Sequence, residues 1–561
     1  MARDARRLDA IRDRRDELEN HYIDELVAGR ISRRDFVRKG AVIGMSTTVM
    51  GAVLSACGNA NNASSSSSAA GGGTATKGGT LRLATQAPAA AINPLTISDA
   101  GGLCMLAQTG EFLAFDNNMA LQLEPMLASS WKPSKGGAVW TFKLRSGVKF
   151  HNGSLLTADD VVYTMQQLAD PKNASNALST FAGVLKPSGI VKVDSSTVAF
   201  HLEAPNGNFP YLVSSDNYNA IIVPRGTDFA KWQSTFMGTG PFKLKSYTQN
   251  VGANFVANPD YWGGKPKLDS TAFTFYTSQQ PQILALQGGQ VDVIVQFVVQ
   301  GAQSLINNSS YNIIKLKSAN HRELSMRNDQ APFTDPRVRQ AVALSLDRPN
   351  MVKALLSSDG VLGNDSPFSP KFPSEDTSVP QRAQDLAKAK QLLAAAGHSS
   401  GVSTTLVTEE YQEIPALAQV IQQAAAQIGV TIKLKVETQT AYYGKSTYGN
   451  SDWLDGAMSL VDYGDRGVPN VFLEAPLTSG GPWNAAHFRN KAYDALVKQY
   501  VASVDLQTQK ALAGKIETLL LAQTPIVIPY FIDGLTATTS SVHGVNPTSI
   551  SAIYLKDAYK A

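Results

Sequence analysis

From Thr80 onward, apolar and polar positions alternate with a period of two through several short segments: TLRLA, WTFKLRSGVKF, VKVDSSTVAFHL, PFKLKSYTQN and STAFTFYT. That period predicts half-buried strands joined by turns, running to about Asn320. A helix interrupts them where Thr157 precedes ADDVVYTMQQLAD, placing Asp159 and Asp160 in its first turn against the helix dipole. From about Pro332 to Thr524 the pattern changes to alternating helix and strand. Asp335 and Pro336 read as cap and first residue of a helix through RVRQAVALSL. RAQDLAKAKQLLAAAG ends at Gly397, and PALAQVIQQAAAQIG ends at Gly429 before the strand VTIKLKVET. The closing TPIVIPYFIDG and GVNPTSI return to strand and turn, so the C-terminus is expected to fold back into the first lobe. Two lobes follow, residues 80–325 with 525–561 and residues 326–524, crossed near 320–332 and 524–534. No internal repeat is present.

The N-terminal pattern is different. Residues 1–31 form a long, alternately charged extension. Ser32 to Cys57 reads SRRDFVRKGAVIGMSTTVMGAVLSAC, with adjacent Arg33 and Arg34, an apolar run from Gly40 to Ala56 broken by Gly, Ser and Thr, and a lone cysteine. The run is short for a membrane span, which wants about 20 mostly apolar residues. A positive region, a modest apolar region and small residues before a cut site form an export signal. The arginines resemble a twin-arginine signal, and LSAC resembles a lipobox whose cysteine is lipidated. Residues 58–79 are Ser/Gly-rich and cannot bury a core, so they read as a flexible tether. The expected location is the outer face of the cytoplasmic membrane, facing the periplasmic or extracellular space.

Length and composition narrow the classes. A chain of 561 residues is too long for one core. Its net charge of +4 is dispersed along the sequence, which argues against nucleic acid as a partner. Of the two cysteines, Cys57 is assigned to lipidation, leaving Cys104 as a buried structural thiol. No phosphate loop, HExxH or GxSxG elbow occurs, and the seven histidines lack metal-ligand spacing. His151 and His543 sit beside glycines and read as turn or surface residues. No catalytic residue, metal site or cofactor is therefore expected; an exported hydrolase or a sensor lipoprotein would be the competing classes.

An ordered series of blocks carries a resemblance: WTFKLR (Trp140 to Arg145), GVKFHNG, LTADDVVYT, GTGPF (Gly238 to Phe242), NPDYWGGKPKLD, ALQGGQVDVI, APFTDPRVRQAVALSLDR, SPFSP and DYGDRGVPNVFL (Asp462 to Leu473). It is similar to the peptide/nickel-type, family 5 solute-binding proteins of bacterial ABC importers, and covers residues 79 to 561. The resemblance implies an α/β, bilobal periplasmic-binding-protein-like fold of the large class, two crossings forming a hinge, and a ligand between the lobes. It implies a monomeric receptor, held to the membrane by its lipid anchor, that delivers a small solute, foremost short peptides, to the permease subunits. Oligosaccharides, metal chelates and other non-peptide solutes remain open.

The resemblance also carries the candidate site. Asp462, in LVDYGD, matches the aspartate that pairs with a peptide's α-ammonium; the alternative is a loop aspartate bonding its own turn. Gly464 and Ser459 stand where proline and tryptophan are usual. Arg327, in LSMRND, stands where many members have asparagine and is expected to grip a carboxylate or to form a hinge salt bridge. Tyr463, Arg466, Trp453 and Glu111 are further ligand-binding candidates, with Trp483 and Tyr442–Tyr443 as pocket walls or packing.

Overall fold

The chain folds around two separate mixed sheets. The computed structural model describes residues 78–119 and 121–561. The extension, the twin arginines Arg33 and Arg34, Cys57 and nearly all of the Ser/Gly-rich tether lie outside the described residues.

The first sheet is built from β1 (Thr80–Gln86), β2 (Phe242–Thr248), β3 (Gly252–Ala257), β4 (Ser270–Tyr276), β5 (Val293–Phe297) and β6 (Tyr311–Leu316), with a last strand contributed by the C-terminal segment. The second contains β7 (His321–Met326), β8 (Gly360–Leu362), β9 (Val402–Glu409), β10 (Val430–Glu437), β11 (Met458–Tyr463), β12 (Ile526–Val527) and β13 (Tyr530–Ile532). After β13 the chain returns to the first sheet as β14 (Gly534–Thr539), which inserts between β5 and β6. The first sheet runs β6-β14-β5-β1-β4-β3-β2, and the second β8-β13-β7-β11-β9-β10 with β12 beside β7. A four-stranded antiparallel sheet, including Val139–Leu144 and the hairpin Ile190–Asp194/Thr197–His201, extends the first lobe.

Sheet membership moves the lobe boundaries from the sequence reading. β7 belongs wholly to the second sheet, so the first crossing is residues 317–320; the second is Asp533, between β13 and β14. TPIVIPYFIDG reads as strand in either lobe, and its partners β7 and β8 assign it to the second. The crossings bond to each other: Ser318 Oγ donates to the Ile532 carbonyl at 2.7 Å, and the Ile532 amide donates to the Asn320 carbonyl at 2.8 Å.

The helix starts follow the sequence. Thr157 and Asp160 form a reciprocal capping box, and Asp335 accepts from the Arg337 amide with Pro336 in the first turn. Gly397 and Gly429 carry φ of +86° and +89°, the left-handed geometry that lets each helix end turn into the following segment. Each lobe has its own core: Leu81, Phe142, Phe200 and Phe255 in the first, and Leu324, Leu406, Ile421 and Leu460 in the second. Cys104 is buried and free in the first core. Its burial pushes the thiol above the usual range.

Candidate functional site

β7 and β11 run antiparallel with Arg322 opposite Asp462 and His321 opposite Tyr463. Successive strand residues face opposite sides of a sheet, so Asp462 and Tyr463 serve two different faces.

On one face Asp462 is 26% exposed, its carboxylate 4.0 Å from the Arg322 guanidinium. Tyr443 Oη donates to Asp462 Oδ1 at 3.2 Å and to Glu409 Oε1 at 2.8 Å. Arg322 is itself fully buried and committed to Glu413 at 2.8 and 3.1 Å, so it only partly offsets the two carboxylates. Burial, opposed by the Gln439 hydrogen bond, and then the nearby Asp462 charge push the Glu409 carboxyl up. Burial, then the charges of Asp462 and Glu409, push the Tyr443 hydroxyl up strongly. The result is a partly open, electronegative corner at the ends of β9 and β11, suited to a cation.

On the other face Tyr463 is buried against His321 (5.4 Å between ring centres), Phe472 (5.9 Å) and Trp483 (6.3 Å). Trp453 packs edge-on to Tyr443 at 5.4 Å and 6.5 Å from Trp483. The Tyr463 hydroxyl and Trp453 Nε1 are both buried without a hydrogen-bond partner.

Trp483 continues into a cavity between the lobes. Asn206, Asp216 and Asn219 line it from the first lobe, and Arg466, Asn470 and Trp483 from the second. Asn219 donates its amide to the carbonyls of Pro94 and Ile97, and its side-chain oxygen accepts no hydrogen bond. Among the described residues the Asp216 carboxylate likewise accepts none, whereas Arg466 donates to the carbonyls of Asp465 and Gly464 and has no carboxylate partner. One wall thus presents acceptors and the other a guanidinium.

Arg327 and Glu111 are placed elsewhere. Arg327 follows the far end of β7, five residues from Arg322, or about 17 Å along a strand. It forms a two-bond pair with Asp329 at 2.7 and 3.0 Å and donates to the Asp455 carbonyl. Those contacts fit a structural ion pair away from both crossings. Glu111 is 1% exposed and accepts from Thr239 Oγ1 (2.6 Å), Tyr261 Oη (2.6 Å) and Trp262 Nε1 (2.8 Å). Burial raises its carboxyl to about 7, and no oxygen is left for the cleft.

A second group escaped the sequence reading: Asp116, Asp216, Lys371 and Asp465 meet at the lobe junction. Lys371 Nζ lies 2.6 Å from Asp465 Oδ2 and 3.7 Å from Asp116 Oδ2. The four positions lie 100, 155 and 94 residues apart along the chain, and no local pattern links them. Among the described residues, no group of three or more His, Cys, Asp or Glu side chains is arranged to hold a metal ion. No helix of the described residues is long and apolar enough to cross a membrane.

Comparison with known proteins follows the same architecture. The model of the family described as bacterial extracellular solute-binding proteins, family 5 (middle) matches residues 122–481. The chain is 26% identical to heme-binding protein A of Haemophilus influenzae over 437 residues, covering 72% of this chain and 78% of that one. It is 27% identical to the dipeptide-binding protein DppE of Bacillus subtilis over 477 residues, 78% and 84% of the two chains. Among solved structures, HbpA2 from Haemophilus parasuis superposes with a TM-score of 0.77 at 23% identity, over 86% of this chain and all of that one. The chain belongs to the family 5 bacterial extracellular solute-binding proteins, with their bilobal α/β fold.

Proposed function

We propose that this protein captures short peptides outside the cell membrane and hands them to the permease of an ABC importer, itself catalysing no reaction. The observation that carries the peptide reading is the pairing of two unlike walls across the lobe junction. The Asp216 carboxylate and the Asn219 side-chain oxygen can accept hydrogen bonds on one wall, and Arg466 can donate them on the other. A zwitterionic chain with N–H groups complements both. Asp462, matched by the resemblance and partly exposed beside Glu409 on the face of β11 opposite Tyr463, is the proposed partner of the α-ammonium at a corner separate from the cavity lining, and Trp453, Tyr463 and Trp483 form the apolar support behind the cavity. The twin arginines Arg33 and Arg34 direct export, and Cys57 carries the lipid that holds the monomeric receptor at the membrane.

Native mass spectrometry of the purified chain tests the ligand class. A bound peptide lost on Asp462→Ala supports the reading. A haem, sugar or chelate in its place, or peptide affinity unchanged in that variant, overturns it. Continued membrane retention of Cys57→Ser counts against the anchor.

A further inference from the structure

Two carboxylates from distant parts of the chain, Asp116 and Asp465, pair with the Lys371 ammonium where the lobes meet, and a third, Asp216, lines the same small cavity as both of them. Asp116 and Asp216 belong to the first lobe; Asp465 and Lys371 belong to the second. Asp465 is also tied to the first crossing, because its Oδ1 accepts from the Ala319 amide at 2.6 Å. Its Oδ2 takes both Lys371 Nζ and, from the C-terminal segment of the first lobe, Ser549 Oγ at 2.5 Å. Asn118 completes the ring, accepting from the Ser549 amide at 3.0 Å and donating to Asp116 at 3.1 Å. Hinge and lobes therefore share one charged node.

Within this node the Asp216 carboxylate has no hydrogen bond or ion pair among the described residues. Its carboxylate is pressed against Gly467 of the opposite lobe, where an added Cβ would stand 2.5 Å from Asp216 Cγ. Lys371 is spent on Asp465 and Asp116. Arg466, held on backbone carbonyls, is the other cation facing it, and the Tyr211 hydroxyl lies near Asp216 and Asp116, with that of Tyr554 near Asp116. The lobes thus hold an excess of negative charge at a junction where Asp116, Asp465 and Lys371 are buried and Asp216 is half-buried at the edge of the cavity.

We propose that the mutual position of the two lobes is set by a proton held among Asp116, Asp216 and Asp465. With that proton in place the junction stays as described here; when it leaves, like charges face one another across the junction and push the lobes to a different spacing. Burial first, and then the charges of Asp116 and Asp465 against those of Lys371 and Arg466, raise the Asp216 carboxyl to about 7. Asp116 is raised as well, chiefly by burial. An acid raised by one arrangement of a molecule favours that arrangement at low pH and abandons it as pH climbs through the raised value. The bias amounts to at most about tenfold in population per pH unit for one proton. Regulation of this kind rests on the reading of the protein as a two-lobed solute receptor, and its test uses no solute.

The test is a distance measurement by electron spin resonance between nitroxides at Lys132→Cys in the first lobe and Lys390→Cys in the second. The full chain carries Cys57→Ser, and buried Cys104 is left in place. Between pH 5.5 and 8.5 the distance distribution is expected to shift, with a midpoint near 7. In Asp216→Asn, a neutral isostere of the protonated group, it is expected to keep its low-pH form throughout. A pH-independent wild-type distribution overturns the proposal, and so does a shift that persists unchanged in Asp216→Asn. Should that variant not fold, Asp116→Asn is read instead: its midpoint moves to lower pH if the carboxylates act together and stays near 7 if they do not. Failure of peptides to bind would sink the ligand reading alone and leave this result standing.

Discussion

Asn208 of the first lobe donates its amide to Asn470 Oδ1 of the second at 2.9 Å, and Gln509, also of the second, donates back to Asn208 Oδ1 at 3.0 Å. All three side chains are buried, and the neighbouring Gly207 amide donates to the Val501 carbonyl at 2.8 Å. One carboxamide therefore bridges two elements of the opposite lobe.

Removing that bridge takes the donor from buried Asn470 Oδ1 and one acceptor from Gln509, which keeps its bond to the Ser503 carbonyl. Asn208→Ala is expected to weaken the lobe contact by about 1–3 kcal/mol, the usual cost of unpaired buried polar atoms. The interlobe distance distribution should broaden while the circular dichroism spectrum stays as in wild type.

Gly467 sits where Asp216 leaves no room for a side chain. Gly467→Ala is expected to displace the second lobe from Asp216 at a cost of about 1–3 kcal/mol. Affinity for the solute identified by mass spectrometry should fall by roughly tenfold or more. Unchanged affinity would mean that the backbone yields locally.

Arg322 is the main partner of buried Glu413, with Tyr530 a weaker donor at 3.3 Å. Arg322→Met leaves that carboxylate without a countercharge and is expected to cost about 3–5 kcal/mol, read as a lower urea midpoint. Arg322→Met combined with Glu413→Leu should recover much of the loss.

Glu323 is buried on the face of β7 opposite Arg322, and burial raises its carboxyl to about 8. The folded state then binds a proton that the unfolded chain releases, so its contribution is full below about 4.5 and lost as pH rises through 8. His321, buried and lowered to about 4, has the opposite slope between 4 and about 6.5, which leaves the net decline above 6.5. Urea unfolding at pH 6.5 and 8 should show wild type losing about 2 kcal/mol more than Glu323→Gln. Equal losses would place the titration elsewhere.

What the sequence disclosed follows from how far apart the cooperating residues lie. Strand alternation and helix caps are local, and Thr157, Asp335, Gly397 and Gly429 behave as their neighbours in sequence dictate. Arg327 had its answer two residues away in Asp329, but a guanidinium near an expected crossing also invites a ligand. Glu111 is more instructive. GTGPF and DYWGG, with Arg145 of WTFKLR 4.4 Å over the Trp262 ring, belong to the blocks that carried the resemblance, and they converge on its carboxylate. Their spacing hid a structural hub behind a candidate ligand contact. His151, read as a turn residue, bonds the Gly240 carbonyl at 3.0 Å beside that hub. The junction of Asp116, Asp216, Lys371 and Asp465 exists only in the folded chain, because each member lies on a separate segment.

β14 has a consequence for the order in which the molecule is finished. It is the last strand of the first sheet to be synthesised, yet it lies between β5 and β6 and pairs with both. All strands of the second sheet precede it in the chain. The lobe begun first on the ribosome is thus completed last, and until residue 539 emerges β5 and β6 both keep unpaired edges. Deletion of the segment from Gly534 onward would remove an interior strand and not a dispensable tail.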